Sequence, residues 1–210
     1  MTGLFLTFEG TEGAGKSTQL DRLERWLLDR GHEPLRVREP GGTALGEKIR
    51  AVLLDRASGE MAAWTELCLY VASRAQLVAE RIRPALEAGR IVLADRYGDA
   101  SIAYQGGGRR LGARRVASLN AWATAELRPD RVFLFDLDPR IGLTRIRTAR
   151  GEAALDRLEV ESLQFHQRVR RAYLSLARRE AQRYRVLDAR LAPDELARLI
   201  ESEVAPLLDR

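Results

Sequence analysis

The segment Gly10-Thr11-Glu12-Gly13-Ala14-Gly15-Lys16-Ser17, directly after the apolar run Leu4–Phe8 and before a helical pattern, constrains this chain more than any other feature. It meets G-x-x-x-x-G-K-[ST] at every fixed position, in the strand–loop–helix frame that gives the pattern its mechanism. The glycines let the backbone curl until consecutive N–H groups converge, and the following helix adds the partial positive charge of its N-terminus. The expectation is a phosphate cradle from Gly10, Thr11, Glu12, Gly13, Ala14, Gly15, Lys16, Ser17 and Thr18. Lys16 would lie over the β- and γ-phosphates of ATP, and Ser17 would offer its hydroxyl to Mg²⁺. The bland alternative is a glycine-rich turn that binds nothing.

The rest of the chain repeats this alternation. Leu35–Val37, Ile91–Ala94, Val132–Phe135 and Arg185–Leu187 read as further short strands. Helical spacing appears at Leu20, Leu23 and Leu27, closed by Gly31, and at Ile49 and Leu53. It recurs over Glu66–Leu86, with a kink expected at Pro84 and a stop at Gly89, and over Leu111–Glu126, Ile141–Ala149, Ser162–Tyr184 and Pro193–Leu208. Apolar strands alternating with helices predict an α/β fold, a five-stranded parallel sheet with helices on both faces and ligands at the carboxyl ends of its strands. With 210 residues, 45% of them hydrophobic, one domain over 1–210 is expected.

Composition closes off other classes. Charged residues are 31% and the net charge is +5, so this is not a disordered chain. No apolar stretch approaches the roughly 20 residues that span a bilayer, and Met1–Glu9 lacks the features of a secretion signal. The expectation is a cytoplasmic protein without membrane contact. Cys68, the one cysteine, excludes an internal disulfide and reads as a small buried side chain. His32 and His166 have no ligand partner at helical spacing, so neither histidine nor thiol chemistry is expected. The bases are nearly all arginine and mostly alternate with acids, as in Asp21-Arg22-Leu23-Glu24-Arg25. That describes solvated helix faces better than a nucleic-acid surface.

A second acidic centre falls where Ile91–Ala94 runs into Asp95-Arg96-Tyr97. Alone it has an ordinary salt-bridge explanation; beside a phosphate loop, Asp95 becomes a candidate Mg²⁺ holder. From here the chain resembles the bacterial thymidylate kinase family over almost its whole length. The matching blocks are Phe8–Thr18, Arg38-Glu39-Pro40-Gly41-Gly42-Thr43, Ala72–Leu77, Asp95-Arg96-Tyr97, Ser101–Gly108, Arg150-Gly151-Glu152 and Asp156-Arg157-Leu158-Glu159.

The resemblance implies dTMP and ATP as substrates, Mg²⁺ and a homodimer, for which apolar faces at Leu67–Val78 and Leu111–Ala123 are candidates. It makes Tyr70 the thymine-stacking aromatic and Arg74 the base-reading arginine. Ser101 and Gln105 would lie along the base edge, with Tyr104 against the sugar's 2′ carbon. Glu12 would lie near the 3′-hydroxyl and metal, Arg38 and Arg96 at the dTMP phosphate, and Arg50 near base or phosphate. Pro40 would follow a bond that is often cis in this family, and Asp156 and Glu159 would be acids near the nucleotides, on the helix after the lid. That lid spans about 142–154. Because Gly13 and Ala14 stand where another thymidylate kinase group carries an arginine, it would supply the transition-state cation, from Arg150 first, then Arg145 and Arg147.

The expected reaction moves the γ-phosphoryl group of ATP to dTMP. No general base is needed, because a monoester loses its second proton near pH 6. Catalysis then rests on positioning and on neutralisation by Lys16, Arg96, the lid arginines and Mg²⁺. The alternatives are another P-loop nucleoside or nucleoside monophosphate kinase, and a P-loop ATPase without kinase activity.

Overall fold

The computed structural model describes residues 3–208, so the outermost ends of the expected domain lie outside the described residues. Five strands, β1 (Phe5–Gly10), β2 (Leu35–Arg38), β3 (Val92–Asp95), β4 (Arg131–Asp136) and β5 (Tyr184–Asp188), form one parallel sheet in the order β2-β3-β1-β4-β5. All six residues of β1 are buried, as its central place requires. The helices are α1 (Lys16–Leu28), α2 (Ala44–Leu54), α3 (Ala63–Leu77), α4 (Arg83–Glu87), α5 (Gly98–Ser101), α6 (Ala113–Ala123), α7 (Pro139–Arg150), α8 (Leu163–Arg179) and α9 (Pro193–Leu208).

Strand alternation splits the core between the two faces. Leu6, Phe8, Phe133 and Phe135 pack with Leu20, Leu23 and Leu27 of α1 and Ile200 and Val204 of α9. Val132 and Leu134 pack on the opposite side with residues of α3, α6 and α8, such as Leu67, Val116, Val169 and Tyr173. The expected fold is therefore present, with helices on both faces. Register pairs Phe8 and Arg38 with Asp95, and Gly10 with Phe135. The strands thus end together at one edge, and the chain leaves central β1 toward β2 before returning to β4 on its other side. That reversal opens a crevice.

Several boundaries differ from expectation. The stretch Glu66–Leu86 is not one kinked helix: α3 passes through a π-helical turn at Val78–Ile82 into α4. Pro84 lacks an N–H and its ring crowds the carbonyl four residues back, and the wider turn relieves both. The helix expected over Ser162–Tyr184 stops at Arg179 because Tyr184 pairs with Val132 as the first residue of β5. That over Leu111–Glu126 shrinks to α6, closed by Ala125 and Glu126 at positive φ. Cys68 is exposed, not buried: α3 buries Leu67, Tyr70, Val71 and Arg74, which leaves Cys68 on the opposite face.

Candidate active site

The loop after β1 meets the carboxyl edge of the sheet. Gly15, at φ 86°, caps α1 with no side-chain acceptor, so the first-turn N–H groups stay available to an anion. Gly13 is held against α7: a Cβ there would lie 2.3 Å from the Gly142 carbonyl oxygen, and one on Gly142 would lie 2.1 Å from that of Glu12. Lys16 is buried, its ammonium donating to the carbonyls of Thr11 at 2.9 Å and Gly10 at 3.3 Å. Burial, with the nearby charge of Arg96, brings its pKa down to about 8. Ser17 is exposed and lines the same cavity as Asp95 at the end of β3.

That cavity, about 270 Å³, is bounded by Glu12, Gly13, Lys16 and Ser17 at the loop and by Tyr70, Ser101, Tyr104 and Gln105 opposite. Arg38, Pro40, Arg50, Arg96, Arg150, Asp156 and Glu159 also line it.

Arg96 has the most constrained setting. Its backbone sits at φ 72°, a conformation that costs a β-carbon residue of order 1–3 kcal/mol. It is pinned on both sides, by Arg96 N–H donating to Phe8 O and by Tyr97 N–H donating to Glu9 Oε1 at 2.7 Å. The guanidinium donates to Gly10 O, to the Tyr173 hydroxyl and, at 3.1 Å, to Glu12 Oε1, and lies 5.0 Å from the Tyr104 ring centre. Glu12 Oε1 also accepts from the Tyr104 hydroxyl at 2.5 Å. Burial pushes the Glu12 carboxyl up, but contact with His166 and the charges of Arg96 and Lys16 outweigh it and hold its pKa at about 2. Glu9, fully buried beneath, behaves oppositely: burial and then the nearby Asp99 charge raise it to about 8.

His166, for which the sequence offered no ligand partner at helical spacing, packs beside the site. It is buried on α8 with Nδ1 3.2 Å from Glu12 Oε2. It has polar neighbours in Gln167 and Arg168, yet His166, Val169 and Tyr173 are spaced i, i+3, i+7 and are all buried. That periodicity was the available signal.

Arg74 lies beneath the cavity rather than among its lining residues. It is 1% exposed, and its guanidinium donates to Glu39 at 2.8 Å, Asn120 at 2.6 Å, Tyr97 O and Ser101 Oγ. Glu39 and Asn120 were not foreseen. Tyr70 is buried and borders the cavity, the Glu39–Pro40 bond is cis, and Arg50 donates to Pro40 O. Arg38 is exposed and paired with Glu47. Gln105 donates to Glu66, another residue the sequence did not single out.

The three arginines expected in a lid, all on α7, part company. Arg150 reaches the cavity and pairs with Glu159; Arg145 donates to Gly13 O at 3.2 Å; Arg147 pairs with exposed Glu152. Asp156 and Glu159 do line the cavity, but on a turn before α8 and not on a helix. Asp156 Oδ1 accepts the N–H groups of Leu158 and Glu159, and this Asx-type capping closes the turn.

A phosphate loop ending the central strand, beside an arginine-lined crevice walled by α3, the segment after β3 and the end of α7, defines a P-loop nucleoside monophosphate kinase. The sequence model of thymidylate kinases matches residues 8–200. The chain belongs to the thymidylate kinase family. It is 48% identical to the thymidylate kinase of Desulfovibrio desulfuricans, over 99% of this chain and 97% of that one. It is also 51% identical to that of Leifsonia xyli, over 93% and 91%, and 46% identical to that of Geobacillus thermodenitrificans, over 100% and 92%. No helix of the described residues is long and apolar enough to cross a membrane.

Proposed function

We propose that the protein transfers the γ-phosphoryl group of ATP to dTMP, giving dTDP and ADP. An anionic oxygen of the dTMP phosphate attacks Pγ. The bond from Pγ to the β,γ-bridging oxygen breaks, and its electron pair leaves with ADP. The observation that carries this reading is one continuous cavity with the phosphate loop at one end and Tyr70, Ser101 and Gln105 at the other. The first suits a triphosphate tail, the second a flat base with polar edges.

Each residue then has a task. The loop N–H groups and Lys16 hold the β- and γ-phosphates. Arg96, fixed at Gly10 and Glu12, faces the line of transfer, and Arg150 reaches it from the lid. Arg38 and Arg50 border the acceptor phosphate, Tyr70 stacks on the base, Arg74 supports Ser101 from below, and Tyr104 packs against the sugar with its hydroxyl on Glu12. Asp156 and Glu159 place the lid end. Mg²⁺ would neutralise charge between the phosphates; Ser17 and Asp95 are the hard oxygen donors that fit it, since this ion takes one or two protein oxygens beside phosphate and water. Glu12 is a third oxygen donor at that end. The protein acts in the cytoplasm as a homodimer, for which α3 and α6 offer exposed Trp64 and Trp122.

The test is ADP release with ATP·Mg²⁺ across dTMP, dUMP, dCMP, dGMP and thymidine. A methyl group in a shaped pocket is worth about 1–3 kcal/mol, so dTMP should exceed dUMP by roughly 10- to 200-fold in kcat/KM. No acceleration of ADP release by dTMP would sink the reading.

A further inference from the structure

Glu66 lies on α3, 0% exposed, and outside the residues that line the cavity. Its carboxylate gathers three partners from two distant segments, Gln105 and Arg109 in one and Arg157 in the other. Oε1 accepts from Gln105 Nε2 at 2.8 Å and Arg109 Nε at 3.2 Å; Oε2 accepts from Arg109 at 3.0 Å and lies 2.6 Å from an Arg157 nitrogen. Burial opposes ionisation, but the hydrogen bonds of Arg109 and Gln105 and the two guanidinium charges hold the carboxyl below its usual range.

An ionised carboxylate can only accept. The atom of Gln105 that faces it must therefore be the amide nitrogen, and an exchange of Gln105 nitrogen and oxygen would set two acceptors against each other. Gln105 borders the cavity, and no donor among the described residues meets its Oε1. The fixed amide thus presents an acceptor to the ligand. An acceptor at a pyrimidine edge suits the N3–H of thymine or uracil and opposes cytosine, whose N3 carries a lone pair.

We infer that Glu66 is a positioning residue for base specificity: it locks the Gln105 amide with its carbonyl oxygen toward the base edge and thereby excludes cytosine nucleotides. This rests on the proposed placement of the base at Gln105 and extends it to a residue that never touches substrate.

The experiment compares kcat/KM for dTMP and dCMP, with KM for ATP, in the full chain and in Glu66→Gln, Gln105→Met and the double variant. The amide that Glu66→Gln introduces can accept or donate, so the Gln105 amide is free to turn. The dTMP:dCMP ratio should fall about tenfold, the scale of one neutral hydrogen bond, while KM for ATP stays put. In the Gln105→Met background, which has no amide to orient, Glu66→Gln should leave the ratio unchanged.

A ratio unmoved by Glu66→Gln, or moved equally in both backgrounds, overturns the inference. If Glu66→Gln leaves Arg109 and Arg157 too poorly paired to fold, Glu66→Asp keeps the charge and withdraws it from Gln105. It should lower the ratio in the same direction, and no change there is equally fatal. Failure of the unmodified chain to phosphorylate dTMP overturns the underlying reading as well, whereas normal turnover with an unmoved ratio overturns only the role of Glu66.

Discussion

Glu9→Gln isolates one electrostatic cost of building this site. Glu9 is fully buried and accepts from Tyr97 N–H and the Tyr173 hydroxyl at 2.7 Å each, yet its pKa is raised from 4.5 to about 8. The raised value means that the folded state holds the proton more tightly than the unfolded chain does. Stability therefore falls as pH rises through the window from 4.5 to about 8, outside which this group contributes no slope. Linkage between those two values gives a penalty of about 3 kcal/mol at pH 7 and about 1 kcal/mol at pH 5. The glutamine amide keeps an acceptor for Tyr97, offers an N–H to Tyr173 and has nothing to ionise. In urea unfolding, Glu9→Gln should thus stabilise the protein by about 2 kcal/mol more at pH 7 than at pH 5, roughly a 1 M difference in midpoint shift. An equal shift at both pH values would mean that Glu9 ionises normally in the fold, and the argument would fail.

Other outcomes follow from the same geometry. Arg150→Ala should lower kcat by about 10²–10³, whereas Arg147→Ala, which removes an exposed pair with Glu152, should cost less than about threefold; similar losses in steady-state kinetics would dissolve the distinction between them. His166→Phe fills the same space without a nitrogen beside Glu12, so KM for dTMP should rise about tenfold with KM for ATP nearly constant. Parallel changes in both would point to a general packing defect instead. Cys68 should react readily with a thiol reagent in the native protein, at a rate that falls with rising protein concentration if α3 lies in the proposed dimer contact. A rate independent of concentration would remove α3 from the proposed contact.

The phosphate loop and sheet were legible because both rest on local patterns: glycine spacing in one case, short apolar runs in the other. Positions set by packing were less so. His166 looks solvated beside Gln167 and Arg168, and only the orientation of α8 turns it onto Glu12. Glu66 reads as an acid in the first turn of a helix, where the dipole alone would explain it. Its burial depends on Arg109 and Arg157, 43 and 91 positions away in sequence (109 − 66 and 157 − 66), which no periodicity connects. The π-helical turns at Val78–Ile82 and Ile102–Gly108 escaped for a related reason, since a pattern of 3.6 residues does not announce where it widens.

The arginines that composition left undifferentiated separate by what it costs to release them. Arg38 is 57% exposed and its partner Glu47 44%; exposed pairs of this kind are worth about 0–1 kcal/mol, so Arg38 can leave for a phosphate almost freely. Arg150, 47% exposed, is similarly placed, although its partner Glu159 is buried at 7% and would need a new donor once Arg150 moves. Arg74 and Glu39 stand at the other limit, 1% and 3% exposed. Breaking such a pair strands a buried charge, typically at about 3–5 kcal/mol, more than one neutral hydrogen bond to a base returns. Arg74 should therefore act from where it stands, holding Ser101 and the Glu39-Pro40 segment in place, while Arg38 and Arg150 move to the anions. A protein that must bring a triphosphate chain and a monophosphate together needs both kinds: guanidinium groups fixed tightly enough to shape the base pocket, and others held loosely enough to exchange a carboxylate for a phosphate.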